Sequence, residues 1–279
     1  INTIDNKLLN TSLNKNFFPT SNFENISKHD IIIICVPTPL GKNKSPNLEY
    51  VSNVIKDIKN YIRKGQTIIL ECTSYPGTTE EYFLPIFKKK KLKIGKNIFL
   101  GYSPEREDPG NKKYSVLKRN IPKVVSGYTK NCSDIVQSFY KLITNKVFPV
   151  GSIKSAEFTK LLENIYRSVN IGLINELAEV CQKMKIDISE CINAAKTKPF
   201  GFKPFYPGPG VGGHCIPVDP LYLTWKAKSF GIDTKFIKLA SKINDNRPKK
   251  IAKEILKIIS KVKKNKSKKI LILGATYKK

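Results

Sequence analysis

Cys215 stands in the run Pro207-Gly208-Pro209-Gly210-Val211-Gly212-Gly213-His214-Cys215-Ile216-Pro217-Val218-Asp219-Pro220, a backbone too rich in glycine and proline to be core. Gly208, Gly210, Gly212 and Gly213 remove the Cβ atoms from much of the approach to the thiol, so a ligand can lie against bare peptide groups. Asp219 followed by Pro220 reads as an N-cap and a first-turn proline, opening a helix through Leu221 to Ala227 that stops at Gly231. The partial positive charge of that helix N-terminus favours thiolate over thiol, which makes a cysteine reactive near neutral pH. The chemistry expected of Cys215 is covalent nucleophilic catalysis. The other five cysteines read as packing: Cys35, Cys72, Cys181 and Cys191 lie in or beside apolar segments, and Cys132 lies at a loop or helix start. None forms a Cys-x-x-Cys pair, so neither a metal site nor a redox dithiol is expected.

A second group of chemical interest falls on a long helix predicted from Ser155, its expected cap, to about Met184, roughly 45 Å at 1.5 Å per residue. Lys160 and Asn164 share one face, with Arg167 and Asn175 close to the same stripe. Leu161, Leu162, Ile165, Val169, Ile171, Leu173, Ile174 and Leu177 spread around the circumference, which predicts burial on several sides. A lysine there is either paired with Glu157 or Glu163 or set at a functional site.

Upstream, short apolar runs alternate with amphipathic helical stretches, the pattern of an α/β parallel sheet. Strands are expected at 31–36, 67–71, 98–101, 123–126 and 146–150, with helices at about 48–63, from Thr78 as cap, and at about 133–143. In such sheets ligands bind beyond the carboxyl ends of the strands. There stand Val36-Pro37-Thr38-Pro39, Glu71 to Thr78 with Thr73 and Ser74, and Tyr102 to Asn111 with Glu105. No Gly-x-Gly-x-x-Gly joins a strand to a helix of this sheet, so a dinucleotide-binding sheet of this pattern would be incomplete, its first strand and turn preceding Ile1. A further helix from about Lys235 to Ile259 leads to a lysine-rich linker and an apolar strand, Ile270 to Leu273. With Ile1 at the start and a lone strand at the end, the sequence reads as part of something longer.

The formal net charge is +28, yet 45 of the 50 basic residues are lysines spread through every element. That spread reads as solvated surface, and nucleic acid is not the expected partner. No run approaches a membrane span and no signal peptide precedes the first strand, so a cytoplasmic protein with no membrane contact is expected.

Four motifs in register, Glu71 to Thr78, Ser103 to Asn111, Lys160 with Asn164, and Gly212 to Asp219, resemble those of the UDP-sugar 6-dehydrogenases over nearly the whole chain. The Pro104-to-Asn111 form and the Phe205-Tyr206-Pro207-Gly208-Pro209-Gly210 lead-in resemble the branch that oxidises UDP-N-acetylglucosamine. The resemblance implies a Rossmann-like NAD-binding domain over 1–150, a long-helix central domain with the homodimer contacts over 151–262, and the linker and opening strand of a UDP-holding domain over 263–279. It implies oxidation of the sugar C6 alcohol to a carboxylate through a Cys215 thiohemiacetal and thioester. Glu105 would be the general base; Lys160 and Asn164 would face the oxyanion, Asp219 would work with the lysine, and Ser74 or Thr73 would orient water or the C6 hydroxyl. Val36, Pro37, Thr38, Thr73 and Ser74 would line NAD. Tyr206, Gly210, Gly212 and Gly213, with Glu105, Lys160 and Asn164, would hold the UDP-sugar, and His214 would be structural. Two other readings exist: a 3-hydroxy-acid dehydrogenase, which needs no catalytic thiol, and a nucleic-acid-binding module, which rests on charge alone.

Overall fold

A computed structural model describes residues 6–13, 15–108, 113–114, 118–213, 215–262 and 269–274. The expectations for His214 and for Pro109 to Asn111 lie outside them. The chain divides into two compact units, Ile1–Lys160 and Leu161–Lys279.

In the first unit a short helix α1 (Asn6–Ser12) precedes β1 (Ile31–Ile34), α2 (Glu49–Ile58), β2 (Thr67–Leu70), α3 (Thr78–Lys89), β3 (Phe99–Tyr102), β4 (Lys123–Gly127), α4 (Lys130–Lys141) and β5 (Val147–Pro149). The five strands form one sheet in the order β1-β2-β3-β4-β5. β2 lies between two neighbours and is buried along its whole length, which is why Thr67-Ile68-Ile69-Leu70 reads as a continuous apolar run. α2 buries Val51, Ile55 and Ile58, and α4 buries Cys132, Val136 and Tyr140, each set spaced to fall on one helical face. Val136 and Tyr140 pack with Ile69 and Val125 to form a core under α4.

The sheet is mostly parallel, with one departure from the expectation: β4 runs antiparallel to β3, Gly101 opposite Gly127 and Tyr102 opposite Ser126. A parallel return needs a crossover, usually a helix. Residues 103–122 contain no helix among those described, so the chain turns back and β4 starts beyond the carboxyl end of β3.

α5 (Ile153–Met184) runs from the first unit into the second, followed by α6 (Ile188–Ala195), α7 (Asp219–Lys228) and α8 (Lys235–Val262). Its cap is Ser152, not Ser155: the Ser155 N–H donates to Ser152 Oγ at 3.0 Å. Nor is α5 enclosed on several sides. Leu161, Ile165 and Ile174 are buried, but Leu162, Tyr166, Leu173 and Leu177 are exposed along a stripe of their own. The predicted strand at Ile270 to Leu273 has no ladder partner among the described residues and is exposed, as an unpaired strand cannot satisfy its backbone. No helix among the described residues is long and apolar enough to cross a membrane.

Candidate functional site

In the first unit the segments after β1, β2 and β3 hold the predicted residues. Lys160 of α5 donates from Nζ to the main-chain carbonyl of Glu105 at 2.5 Å, and is not paired with Glu157 or Glu163 as the sequence allowed. The Glu105 side chain accepts the N–H groups of Arg106 and Glu107 on Oε1 at 2.7 and 2.6 Å, and Lys123 Nζ on Oε2 at 2.9 Å. Burial would raise the pKa of Glu105, but the Lys123 ammonium and the two amide donors outweigh it and hold the carboxyl below its ordinary value. Glu105 is thus ionised at neutral pH, the state a general base requires.

Lys123 also contacts Glu71 Oε1 at 2.8 Å, and Glu71 accepts from Tyr140 Oη at 2.5 Å and Cys35 Sγ at 3.3 Å. Burial, then the Glu71 charge, push the Cys35 thiol up to about 12, so it stays a donor. Glu71, Glu105, Lys123 and Tyr140, with Ile33, line a cavity of about 150 Å³. Sequence reasoning missed Lys123 and Tyr140: one lysine among 45 carries no contrast, and Tyr140 reads as a core position.

Ser74 is fully buried and its Oγ donates to Glu157 Oε1 at 3.4 Å. The hydroxyl is thus turned to a carboxylate of α5 and away from any exposed surface. Glu157 also accepts from the N–H of Gly77 at 2.5 Å, the N–H of Thr79 at 2.9 Å and Thr79 Oγ1 at 2.7 Å. This carboxylate satisfies the N-terminus of α3, correcting the expectation of a Thr78 cap; the Thr78 hydroxyl donates back to the Tyr75 carbonyl at 2.7 Å. Val36, Thr38 and Thr73 are half-buried and Pro37 is exposed, all just past β1 and β2. They offer a wall for a nucleotide but not a pyrophosphate cradle. The Val36 N–H goes to Cys72 Sγ at 3.0 Å, and the α3 N-terminus is filled by Glu157.

In the second unit Cys215 is exposed. Its carbonyl accepts the N–H groups of Val218 and Asp219 at 3.1 and 2.9 Å, a turn that leads straight into α7. The thiol therefore stands just before a helix N-terminus, as expected. Asp219 is the first residue of α7, preceded by Val218 at the cap position, and its buried carboxylate accepts from Asn164 Nδ2 in place of the predicted capping role. Arg167 donates to Asn164 Oδ1, so a fully buried amide is held from both sides.

The glycine-rich loop before Cys215 is fastened at Gly208. Its N–H donates to Asn175 Oδ1 at 3.0 Å, and its carbonyl accepts from Arg247 Nε at 3.2 Å, while Arg247 is paired with Glu179 at 3.1 Å. A Cβ on Gly210 would lie 3.0 Å from Pro248 Cγ, and Gly213 has φ +86°, so each needs glycine for its own reason. Gly208, Gly210 and Gly213 do stand at Gly-x-Gly-x-x-Gly spacing, but no strand precedes them and they lead to Cys215, so they are not the turn of a dinucleotide-binding unit. Gly212 and Tyr206 are exposed on the same loop.

Residues 2–144 match the NAD binding domain of the UDP-glucose/GDP-mannose dehydrogenase family, and residues 154–246 match its central domain. The chain is 41% identical over 278 residues to Protein CapL of Staphylococcus aureus, covering 99% of this chain and 64% of that protein. It is 39% identical over 263 residues to a UDP-N-acetyl-D-glucosamine 6-dehydrogenase of Pseudomonas aeruginosa, covering 93% of this chain and 61% of that one. The structure of a UDP-D-ManNAc dehydrogenase from Pyrococcus horikoshii superposes with a TM-score of 0.80 at 30% identity, over 87% of this chain and 56% of that one. The chain thus spans about three fifths of the length of the curated relatives it matches. With both domains matched in order along it, the chain belongs to the UDP-glucose/GDP-mannose dehydrogenase family.

Proposed function

We propose that the chain is the NAD-binding and central part of a UDP-sugar 6-dehydrogenase that oxidises the C6 alcohol of a UDP-N-acetylhexosamine, UDP-N-acetylglucosamine first, to the carboxylate. The observation that carries this reading is Cys215: exposed on a glycine-rich loop, one turn before a helix whose first residue, Asp219, grips Asn164. The sugar is suggested by the similarity to a UDP-N-acetyl-D-glucosamine 6-dehydrogenase and a UDP-N-acetyl-D-mannosamine dehydrogenase.

NAD, when bound, supplies the hydride acceptor. Val36, Pro37, Thr38 and Thr73 would line it; the pyrophosphate needs a turn that these residues do not provide. Ser74, buried against Glu157, fixes the loop that carries Thr73. After the alcohol has given up a hydride and its hydroxyl proton, Cys215 Sγ adds to the aldehyde carbon and the thiol proton passes to the carbonyl oxygen, giving a thiohemiacetal that keeps the intermediate attached. Lys160 and Asn164 serve as donors to the oxygen that gathers charge. Loss of a second hydride, together with the thiohemiacetal's hydroxyl proton, leaves a thioester; Glu105 takes a proton from water, whose oxygen adds to the acyl carbon, and the sulfur leaves as thiolate. The groups of Tyr206, Gly210, Gly212 and Gly213 serve the sugar and diphosphate.

Two subunits are proposed to associate through the exposed apolar stripe of α5, where Leu162, Tyr166, Leu173 and Leu177 lie uncovered in the single chain. Residues 263–279 are assigned to a linker and the start of a UDP-holding domain. The deciding test is stoichiometry on the protein as its gene encodes it. Two NADH per UDP-N-acetylglucosamine consumed, with Cys215→Ser arrested before acid release, is the expected result. One NADH per substrate and an indifferent Cys215→Ser variant would favour a simple alcohol dehydrogenase and reject this reading.

A further inference from the structure

Two carboxylates and one ammonium meet at the carboxyl edge of the sheet. Lys123 Nζ lies 2.8 Å from Glu71 Oε1 and 2.9 Å from Glu105 Oε2, with side-chain exposures of 12% for Lys123, 13% for Glu71 and 46% for Glu105. Lys123 reaches this edge only because β4 is reversed: its first residue, not its last, sits beyond the ends of β2 and β3. Glu71 is the residue after β2, and its two oxygens already accept from Tyr140 and Cys35. Glu105 has Oε1 fixed by two backbone N–H groups, so Lys123 decides where Oε2 points.

We propose that Lys123 is a positioning residue for Glu105: it divides its ammonium between Glu71 and Glu105, and this division aims the Glu105 carboxylate and keeps it charged. The proposal deepens the reading of Glu105 as the base that activates water, and rests on that reading for its catalytic meaning. Physically, the trio carries a net charge of −1, so each carboxylate feels the other as a competitor for one cation. When Glu105 accepts a proton from water, the ammonium is left wholly to Glu71, and the buried pair stays neutral throughout. The other charged or titratable groups facing Glu105 are Lys160 at its carbonyl, Arg106 and Glu107 beside it, and Arg119 and Tyr140 in the shared cavity. All remain in each variant below, so differences between variants report Lys123 and Glu71.

The test is a carboxyl ¹³C NMR titration of Glu105 in the 279-residue chain, its resonance identified by its loss in Glu105→Gln. Lys123→Met should raise the Glu105 midpoint by about 1–3 pH units, the range an adjacent opposite charge accounts for. Lys123→Arg should restore it towards wild type, and Glu71→Gln should lower it, because the ammonium is no longer shared. If Lys123→Met does not fold, Glu71→Gln decides alone. A Glu105 midpoint unmoved, or raised, in Glu71→Gln overturns the proposal, as does an unmoved midpoint in folded Lys123→Met. If the midpoints move as stated but the gene-encoded protein forms no uronate, the reading of the reaction fails and that of Lys123 stands.

Discussion

The carboxylate of Glu157, on α5, accepts the backbone N–H of Gly77 at 2.5 Å and so closes the N-terminus of α3 across 80 residues of sequence. Three residues further along α5, Lys160 reaches the carbonyl of Glu105. One helix therefore ties down both the loop after β2 and the loop after β3, and the seat of the proposed catalytic lysine depends on an acid that never touches solvent.

Glu157 makes this anchoring sensitive to pH. Burial raises its pKa to about 7 although three amide and hydroxyl donors from Gly77 and Thr79 work in the other direction. The folded chain thus holds the proton more tightly than the unfolded one, whose carboxyl titrates near 4.5. Stability from this group is full below about pH 4.5 and lost as pH rises through about 7, a swing on the order of 3 kcal/mol. Urea unfolding across that window should show Glu157→Gln losing this slope relative to wild type. Parallel curves for the two proteins would refute the assignment.

Asn164 and Asp219 form a buried pair in the second unit, with Arg167 behind the amide. Asn164→Asp sets two carboxylates face to face with little water to screen them. The variant should lose about 2 kcal/mol or more near neutral pH, with Arg167 limiting the damage, and recover part of it near pH 5 as one carboxyl takes a proton. Thermal denaturation at the two pH values measures both. A deficit that stays the same on acidification would show that charge repulsion is not its cause.

Five of the six cysteines fall into classes that alkylation can separate. Cys215 and Cys191 are exposed, while Cys72 and Cys132 are buried. Cys35 has surface exposure but is held protonated, its pKa pushed to about 12 by burial and by Glu71. Iodoacetamide near pH 8 should therefore mark Cys215 and Cys191 first and Cys35 slowly, because thiolate is the reacting form. Cys72 and Cys132 should react only after unfolding. Peptide mapping by mass spectrometry gives the order; early modification of Cys132 would contradict its place in the core.

Much of this was legible in the residues. The apolar run Thr67 to Leu70 can only be an interior strand, and Asp219-Pro220 announces the start of α7, which puts Cys215 ahead of a helix. The errors share a cause: they concern groups whose role is set by a distant partner. Thr78 is a good cap by type, yet Glu157, far along the chain, supplies the acceptor. Asp219 is likewise a good cap, but a buried asparagine claims its carboxylate. Lys123 reads as an ordinary strand edge until β4 is known to run backwards, because in a parallel strand its first residue would face away from the site. The spread of apolar residues on α5 suggested enclosure, whereas a stripe of them remains exposed in the single chain.

The turn from β4 into α4 offers a test of the fold itself. Gly127 ends β4 and is buried; a Cβ there would lie 2.1 Å from the Ser133 nitrogen and 2.5 Å from the Cys132 carbonyl carbon. Both are backbone atoms of α4, so no side chain can swing aside, and the helix itself must shift off the sheet. That shift would open the contacts of Val136 and Tyr140 with Ile69 and Val125. Gly127→Ala should therefore cost about 3 kcal/mol, the upper part of the range for overpacking in a core. Gly151, between β5 and α5, has nothing within 4 Å of the position a Cβ would take. Gly151→Ala should leave stability unchanged or raise it by roughly 0.4–1 kcal/mol through a less flexible unfolded chain. Equal melting temperatures for the two variants would mean that α4 does not approach β4 as closely as described.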